Sequence, residues 1–316
     1  MYKIKRYKAD AAAEWDAFVP QTRNGTFLFL RSYMDYHADR FADHSLMIYR
    51  KGKLCALLPA NVNANTLYSH GGLTYGGLLT AATSGTADVC EIFRNINETL
   101  RCEGIQRVVY KAIPWIYHRL PAEEDLYALF AVCNAKLISR DISSTIQTDN
   151  ALRFSESRRS GLRKAFQNGL SAKESNDYDA FWEILCNNLS LRYGVMPVHS
   201  AEEIKLLKSR FPDNIRLFLT HDSSGKPVGG TVVYECGATV HTQYISASAE
   251  GKQLGALDLL FDYLINNVYL DSTRYKYFDF GKSTEEGGTI LNQPLIFQKE
   301  GFGGRGVCYD TYEWML

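Results

Sequence analysis

The chain lacks an excess of charge of either sign: 35 Lys and Arg residues face 35 Asp and Glu residues. A dedicated nucleic-acid binder carries a basic surplus, so any polyanion contact here has to be a local patch. No uncharged apolar run approaches the roughly 20 residues of a membrane helix. The opening MYKIKR leads into alanines broken by Asp10, Glu14 and Asp16, without the apolar core of a signal peptide. A cytoplasmic protein with no membrane span is expected. Seven cysteines, odd in number and never in C-x-x-C spacing, argue against a disulfide framework or a zinc site. The seven histidines are dispersed, and neither H-E-x-x-H nor G-x-S-x-G occurs, so no catalytic metal and no nucleophile elbow are expected.

What is present is an ordinary globular composition, 46% hydrophobic and 22% charged over 316 residues, enough for two domains. Hydrophobic period predicts a strand at 2–7, helices at 11–18 and 27–41, and a hairpin of 45–49 with 54–60 turned by RKGK. A strand at 66–69, a helix at 87–102, a strand at 105–111, a helix at 123–133 and a strand at 136–147 complete the first half. The second half has a hairpin of 215–220 with 228–234, a strand at 239–246, a helix at 254–270 and a strand at 275–280. Like elements start at 45 and 215, and again at 105 and 275, an offset of 170 both times. The offset suggests a duplicated α/β (α+β) unit, each copy a mixed twisted sheet flanked by helices, with domains at 1–150 and 151–316. Coincidence is the alternative, since strand-helix-strand order is common.

The second half adds helices at 156–167, 177–192 and 201–210, the last opened by Ser200 with Glu203 three residues on. The first carries Arg158, Arg159, Arg163 and Lys164, with Arg159 and Arg163 on one face. A solvated surface and a phosphate site, which would bring in a nucleic-acid partner at the extreme, both fit that patch.

The segment FDFGKST, residues 278–284, spells a kinase triplet and the tail of a P-loop together. A P-loop needs a glycine five residues before Gly281, and Lys276 stands there within the predicted strand. A kinase needs a catalytic H-R-D loop, but the His118-Arg119 pair is followed by Leu120. Neither motif holds. Asp279 remains notable by position, at the carboxyl end of a strand that follows a helix, where α/β ligands gather. A strand-end turn cap is the equal alternative. The glycine-rich stretch from 281 to 304 also carries Ile290, Leu291, Leu295, Ile296, Phe297 and Phe302. That apolar content predicts an ordered, functional loop lined by Lys282 and Ser283 rather than a flexible tip.

Five pieces in order, RRSGLRKAFQNGL (158–170), LRYGVMPVHS (191–200), QYISASAEGKQLGALDLL (243–260), YFDFGKS (277–283) and QKEGFGG (298–304), resemble the FemAB-like branch of the GNAT acyltransferases. SHGGLTYGG (69–77), which contains Tyr75, is similar to the glycine-tyrosine loop of that family's amino-terminal half. The resemblance implies two tandem GNAT-like domains and transfer of an acyl or aminoacyl group to an amine of a cell-envelope precursor, a peptide or an amino sugar. It implies acyl-CoA or aminoacyl-tRNA as donor, and a small-molecule, lipid-linked or nucleotide-linked envelope precursor as acceptor. Family pyrophosphates lie on a helix start after a strand, whose free N–H groups favour an anion. Here that turn is Ser248, Lys252, Gln253, Leu254, Gly255 and Ala256, which keeps one glycine of the family motif.

By the same resemblance Lys299 supplies a positive charge to the oxyanion, and Asp279 binds or deprotonates the acceptor amine. Tyr75, Arg159, Arg163, Arg192, Tyr193, His199, Tyr244 and Ser283 are the expected substrate-binding residues. His199 fits equally as a cap for the helix that follows, and Tyr244 as core. A non-catalytic GNAT-fold scaffold in envelope polysaccharide synthesis is the alternative function.

Overall fold

The computed structural model describes residues 2–271 and 273–316, less the side chains of His37, Arg192 and Tyr193. Its main elements are β1 (Tyr2–Arg6), α1 (Ala12–Phe18), α2 (Arg31–Met34), β2 (Leu46–Arg50), β3 (Lys53–Leu58), β4 (Asn61–Asn63), β5 (Thr66–Tyr68), β6 (Leu79–Thr80), α3 (Thr86–Cys102), β7 (Arg107–Lys111) and α4 (Glu124–Ala131). There follow β8 (Lys136–Gln147), α5 (Glu156–Gln167), β9 (Ser171–Ser175), α6 (Tyr178–Tyr193), α7 (Ala201–Arg210), β10 (Ile215–His221), β11 (Pro227–Cys236) and β12 (Thr239–Ala247). The chain ends with α8 (Ala249–Leu254), α9 (Ala256–Tyr263), β13 (Tyr277–Lys282), β14 (Thr284–Glu285), β15 (Ile290–Leu291), α10 (Gln293–Gly301) and β16 (Arg305–Met315). The architecture is mixed α/β, twisted sheets flanked by helices.

Two compact units result. The first comprises Met1–Ile142, Thr284–Ile290 and Cys308–Leu316. It contains an antiparallel sheet in the order β1-β2-β3-β6, and β5 runs parallel to β7, which pairs in turn with the end of β16. In α3 the residues Val89, Ile92, Phe93, Ile96 and Leu100 recur at helical spacing and bury one face. They form a core with Leu46, Ile48, Tyr110 and Trp314.

The second unit comprises Ser143–Ser283 and Leu291–Val307. Its strands lie in the order β8-β13-β12-β11-β10-β9, with β12 and β13 parallel and their neighbours antiparallel. Phe261 of α9 packs edge-on against Phe280 at 5.0 Å, and Phe280 stacks on Phe302 at 5.8 Å. These rings, with Val240, Leu260 and Phe278, form the core under the parallel pair.

Three expectations need correction. The helix expected at 27–41 is a set of short turns around the four residues of α2. The helix expected at 254–270 starts two residues later, since Gly255 with φ +83° ends the short α8 before it; α9 then runs on as a π-helical stretch over Leu264–Val268. A side chain at Gly255 would meet the Gly161 carbonyl oxygen at 2.4 Å, so close packing on α5 demands the glycine. The glycine-rich stretch expected as loop contains the nine-residue helix α10.

Candidate active site

Along β13 the side chains alternate, so Phe278 and Phe280 enter the core while Asp279 points the other way. Asp279 is fully buried and opposite His241 in the parallel register. One carboxylate oxygen accepts from His241 Nδ1 at 2.7 Å, and the other accepts from the hydroxyls of Ser143 and of Thr145, the latter at 2.7 Å. Ser143 and Thr145 are two apart on β8 and so share a face. Burial pushes the Asp279 pKa up, but His241 and the two hydroxyls outweigh it and hold the carboxyl at about 2. These three donors make Asp279 an anchor of the parallel pair.

The parallel register covers Thr239 to His241 opposite Tyr277 to Asp279. Beyond it, β12 continues along β11 to Ala247, and β13 pairs with β8 at Lys282. Gly281, at φ +73°, lies in this fork. Its carbonyl oxygen and that of Lys282 accept from Lys299 Nζ at 2.8 and 2.7 Å. Lys299 is 4% exposed, and burial lowers its pKa to about 8 against the opposing pull of Asp279. It is held there by the start of α10: Asn292 caps the helix by accepting from the Leu295 N–H at 3.2 Å, and its own N–H donates to the Ser283 carbonyl at 2.9 Å. The Ser283 hydroxyl is buried and has no hydrogen-bond partner among the described residues. A desolvated ammonium that gives two N–H bonds to carbonyls keeps one donor and its charge for a ligand.

The other expected residues fall into separate groups. Tyr244 OH and His199 Nδ1 are 2.5 Å apart, and the Trp182 indole donates to the His199 carbonyl at 3.0 Å, so this pair ties the segment after α6 to the sheet. Ser248 caps α8 by accepting from the Gly251 N–H at 3.0 Å. Ser248 and Lys252 line a groove of about 680 Å³, whereas Gln253, Leu254, Gly255 and Ala256 are not in its described lining. Gly251 and Gly255 are accounted for by packing, since side chains there would meet the carbonyl oxygens of Val228 at 2.0 Å and Gly161 at 2.4 Å. Arg159 and Arg163 are exposed and both pair with Glu156, at 2.7 and 2.6 Å. Arg158 leaves that patch to bond Asp258 at 2.8 Å. Tyr75 is buried in the first unit, its ring tilted against Tyr117 with centroids 4.3 Å apart and its hydroxyl donating to Thr26 at 3.2 Å. The Arg192 and Tyr193 side chains lie outside the described residues. Sequence reasoning missed His241, Ser143 and Thr145, whose common types on ordinary strands give no signal until register assembles them. Among the described residues no cluster of His, Cys, Asp or Glu could hold a metal ion, and no helix is long and apolar enough to cross a membrane.

The family model described as an acetyltransferase (GNAT) domain matches residues 153–286, most of the unit that holds this site. Among solved structures, FemX is similar over 99% of this chain and 97% of its own, at 13% identity and a TM-score of 0.70. L-PGS from Bacillus licheniformis is similar over 98% and 92%, at 12% identity and 0.62. A tandem GNAT protein from the clavulanic acid biosynthesis pathway is similar over 100% and 98%, at 11% identity and 0.50. At such identities the likeness is one of fold. No curated protein matches the sequence. The domain match and the shared fold support an acyltransferase.

Proposed function

We propose that the chain transfers an acyl or aminoacyl group from an ester or thioester donor to an amine of an envelope precursor, a peptide or amino sugar, in the cytoplasm. The observation that carries this reading is Lys299, a buried ammonium pinned by two strand-end carbonyls. The amine nitrogen attacks the acyl carbon, a C–N bond forms, and the carbonyl electron pair moves to oxygen. Lys299 donates its remaining N–H to that oxyanion, and the buried Ser283 hydroxyl, which has no hydrogen-bond partner among the described residues, offers a second donor from the same turn. The oxyanion then collapses, the C–O or C–S bond to the donor breaks, and the leaving group departs with the electron pair and takes up the proton shed by the amine. Asp279 acts indirectly, because its three donors fix the strand whose end presents the Gly281 and Lys282 carbonyls to Lys299. Under this reading the halves 1–150 and 151–316 are tandem GNAT-like domains.

The burial of Lys299 fits a charge that works only when desolvated, where an electrostatic contact is stronger than in water. The FemX and L-PGS likenesses and the resemblance in the motifs favour an aminoacyl donor such as charged tRNA, while the GNAT domain match favours acyl-CoA. Thermal-shift titration with acetyl-CoA, longer acyl-CoAs, charged tRNA and UDP-linked precursors separates them, since a ligand that binds only the folded state raises its melting temperature. Paired donors and acceptors are then assayed for amide product by mass spectrometry. Product formed equally well by Lys299→Met would remove the reading.

A further inference from the structure

We propose that the open edge of β1 is a docking site for an extended acidic peptide segment of another protein, which adds to the sheet of the first unit as a further strand. β1 stands at the end of that sheet and pairs with β2 alone. The Tyr7 N–H donates to the Ser45 carbonyl directly opposite it at 2.8 Å, in the register that also sets Lys5 opposite Met47 and Lys3 opposite Tyr49. Antiparallel pairs alternate between bonded and non-bonded positions, so Lys3 and Lys5 spend their backbone groups on β2 while those of Ile4 and Arg6 face outward. Among the described residues no hydrogen bond takes up the Ile4 or Arg6 N–H.

A groove of about 660 Å³ follows this edge. Its lining takes in Tyr2, Lys3, Ile4 and Lys5 in succession. Successive side chains of a strand point to opposite faces, so a groove that touches all four runs along the backbone edge and not over one face. At the Tyr2 end it meets the tip of the β2–β3 hairpin, where Lys51 and Gly52 take φ of +50° and +80°. Two left-handed residues in a row make the tight turn that holds Lys51 beside the edge. Lys3, Lys5 and Lys51 line the groove and no carboxylate does. The acids around the strand are already engaged: Asp88 accepts from Tyr2 at 2.7 Å and Arg50 at 2.8 Å, Glu14 accepts from Tyr49 at 2.7 Å, and Glu103 pairs with His44 at 2.7 Å. Lys5 lies over the Tyr49 ring at 4.6 Å, and among the described residues Lys3 and Lys51 form no ion pair. Three such cations on a chain with no net charge select an acidic partner, and an unpaired strand edge selects one with its own backbone groups to exchange. A second copy of this chain does not fit, because pairing two β1 edges would set lysine against lysine.

Fluorescence anisotropy of the full chain with a labelled octapeptide alternating glutamate and valine tests this, beside the same peptide N-methylated along its backbone and a lysine–valine counterpart. The glutamate peptide is expected to bind at least about tenfold tighter than either, since methylation removes the strand hydrogen bonds and lysine reverses the charge. Hydrogen exchange should show the Ile4 and Arg6 amides newly protected in the complex. Lys3→Glu combined with Lys5→Glu, both at exposed positions, should leave the melting temperature in place and reverse the preference toward the lysine peptide. An unchanged preference in that variant overturns the site, as does a glutamate peptide that binds no tighter than the lysine one. Equal binding of the N-methylated peptide, or of a single-stranded oligonucleotide of the same charge, shows a plain polyanion patch and overturns the strand addition. Should the double variant not fold, Lys51→Glu decides: weakening of the glutamate peptide by about threefold or more is expected, and none overturns the proposal. Binding at this edge does not depend on Lys299, so the outcome here and the outcome of the acyl-transfer assay are read separately.

Discussion

Asp279 and Lys299 are buried ionisable groups at the same fork of strands, and the fold treats them in opposite ways. Asp279 receives three donors that hold its pKa at about 2, while Lys299, among the described residues, has two carbonyl dipoles and the pull of Asp279, and burial lowers its pKa to about 8. The contrast separates a fastened group from one held in reserve. A carboxylate tied by three donors to β8 and β12 is committed to the fold. An ammonium destabilised by burial retains both a donor and a reason to meet an anion.

The largest effect should come from breaking the fastened side. Asp279→Ala leaves the His241, Ser143 and Thr145 donors buried without their acceptor, and urea unfolding should show a loss of about 3–5 kcal/mol. A loss under one kilocalorie would erase the contrast. Lys299→Met should do the reverse, leaving stability within ~1 kcal/mol of wild type while lowering the turnover number about 100-fold. Denaturant melts and single-substrate kinetics on the same preparation read both quantities.

The pH dependence sharpens the contrast further. Lys299 binds its proton less tightly folded than unfolded, so the unfolded chain holds more protons between about pH 8 and its ordinary 10.5. Stability from this group therefore rises with pH across that window, by on the order of 3 kcal/mol, and the rise should vanish in Lys299→Met. Asp279 contributes at the acid end, with about 2 kcal/mol present above pH 4 and lost as pH falls toward 2. Turnover that needs the Lys299 ammonium should decline as pH climbs through about 8. The smallest effect belongs to Gly281→Ala: at φ +73°, with a new side chain 3.2 Å from the His241 ring, it should cost about 1 kcal/mol in unfolding and shift both groups together.

Much of the second unit was legible in the sequence. The strand at 136–147 and the helices at 156–167 and 201–210 fall on their expected residues, the last because Ser200 and Glu203 form the capping box their spacing predicts. Lys299 and Asp279 were visible through motif resemblance. Other features were invisible for physical reasons. β9, with the sequence SAKES, is a polar edge strand with no alternation to detect. The helix expected at 254–270 was legible nearly to its ends, whereas the short α8 before it, cut off at Gly255 where packing on Gly161 excludes a side chain, was not. The alternation of Val307 and Tyr309 could have announced β16, but its glycine-rich approach masked the start.

What the sequence alone determined is therefore local: hydrophobic period, caps and turn residues act over a few positions and set element type and the family motifs. Tertiary structure decided which charges matter. Strand register, a long-range pairing absent from any short window, delivers Ser143, Thr145 and His241 to Asp279. Burial, a property of the whole packed unit, turns Lys299 from an ordinary surface-type residue into a desolvated cation with one donor unspent.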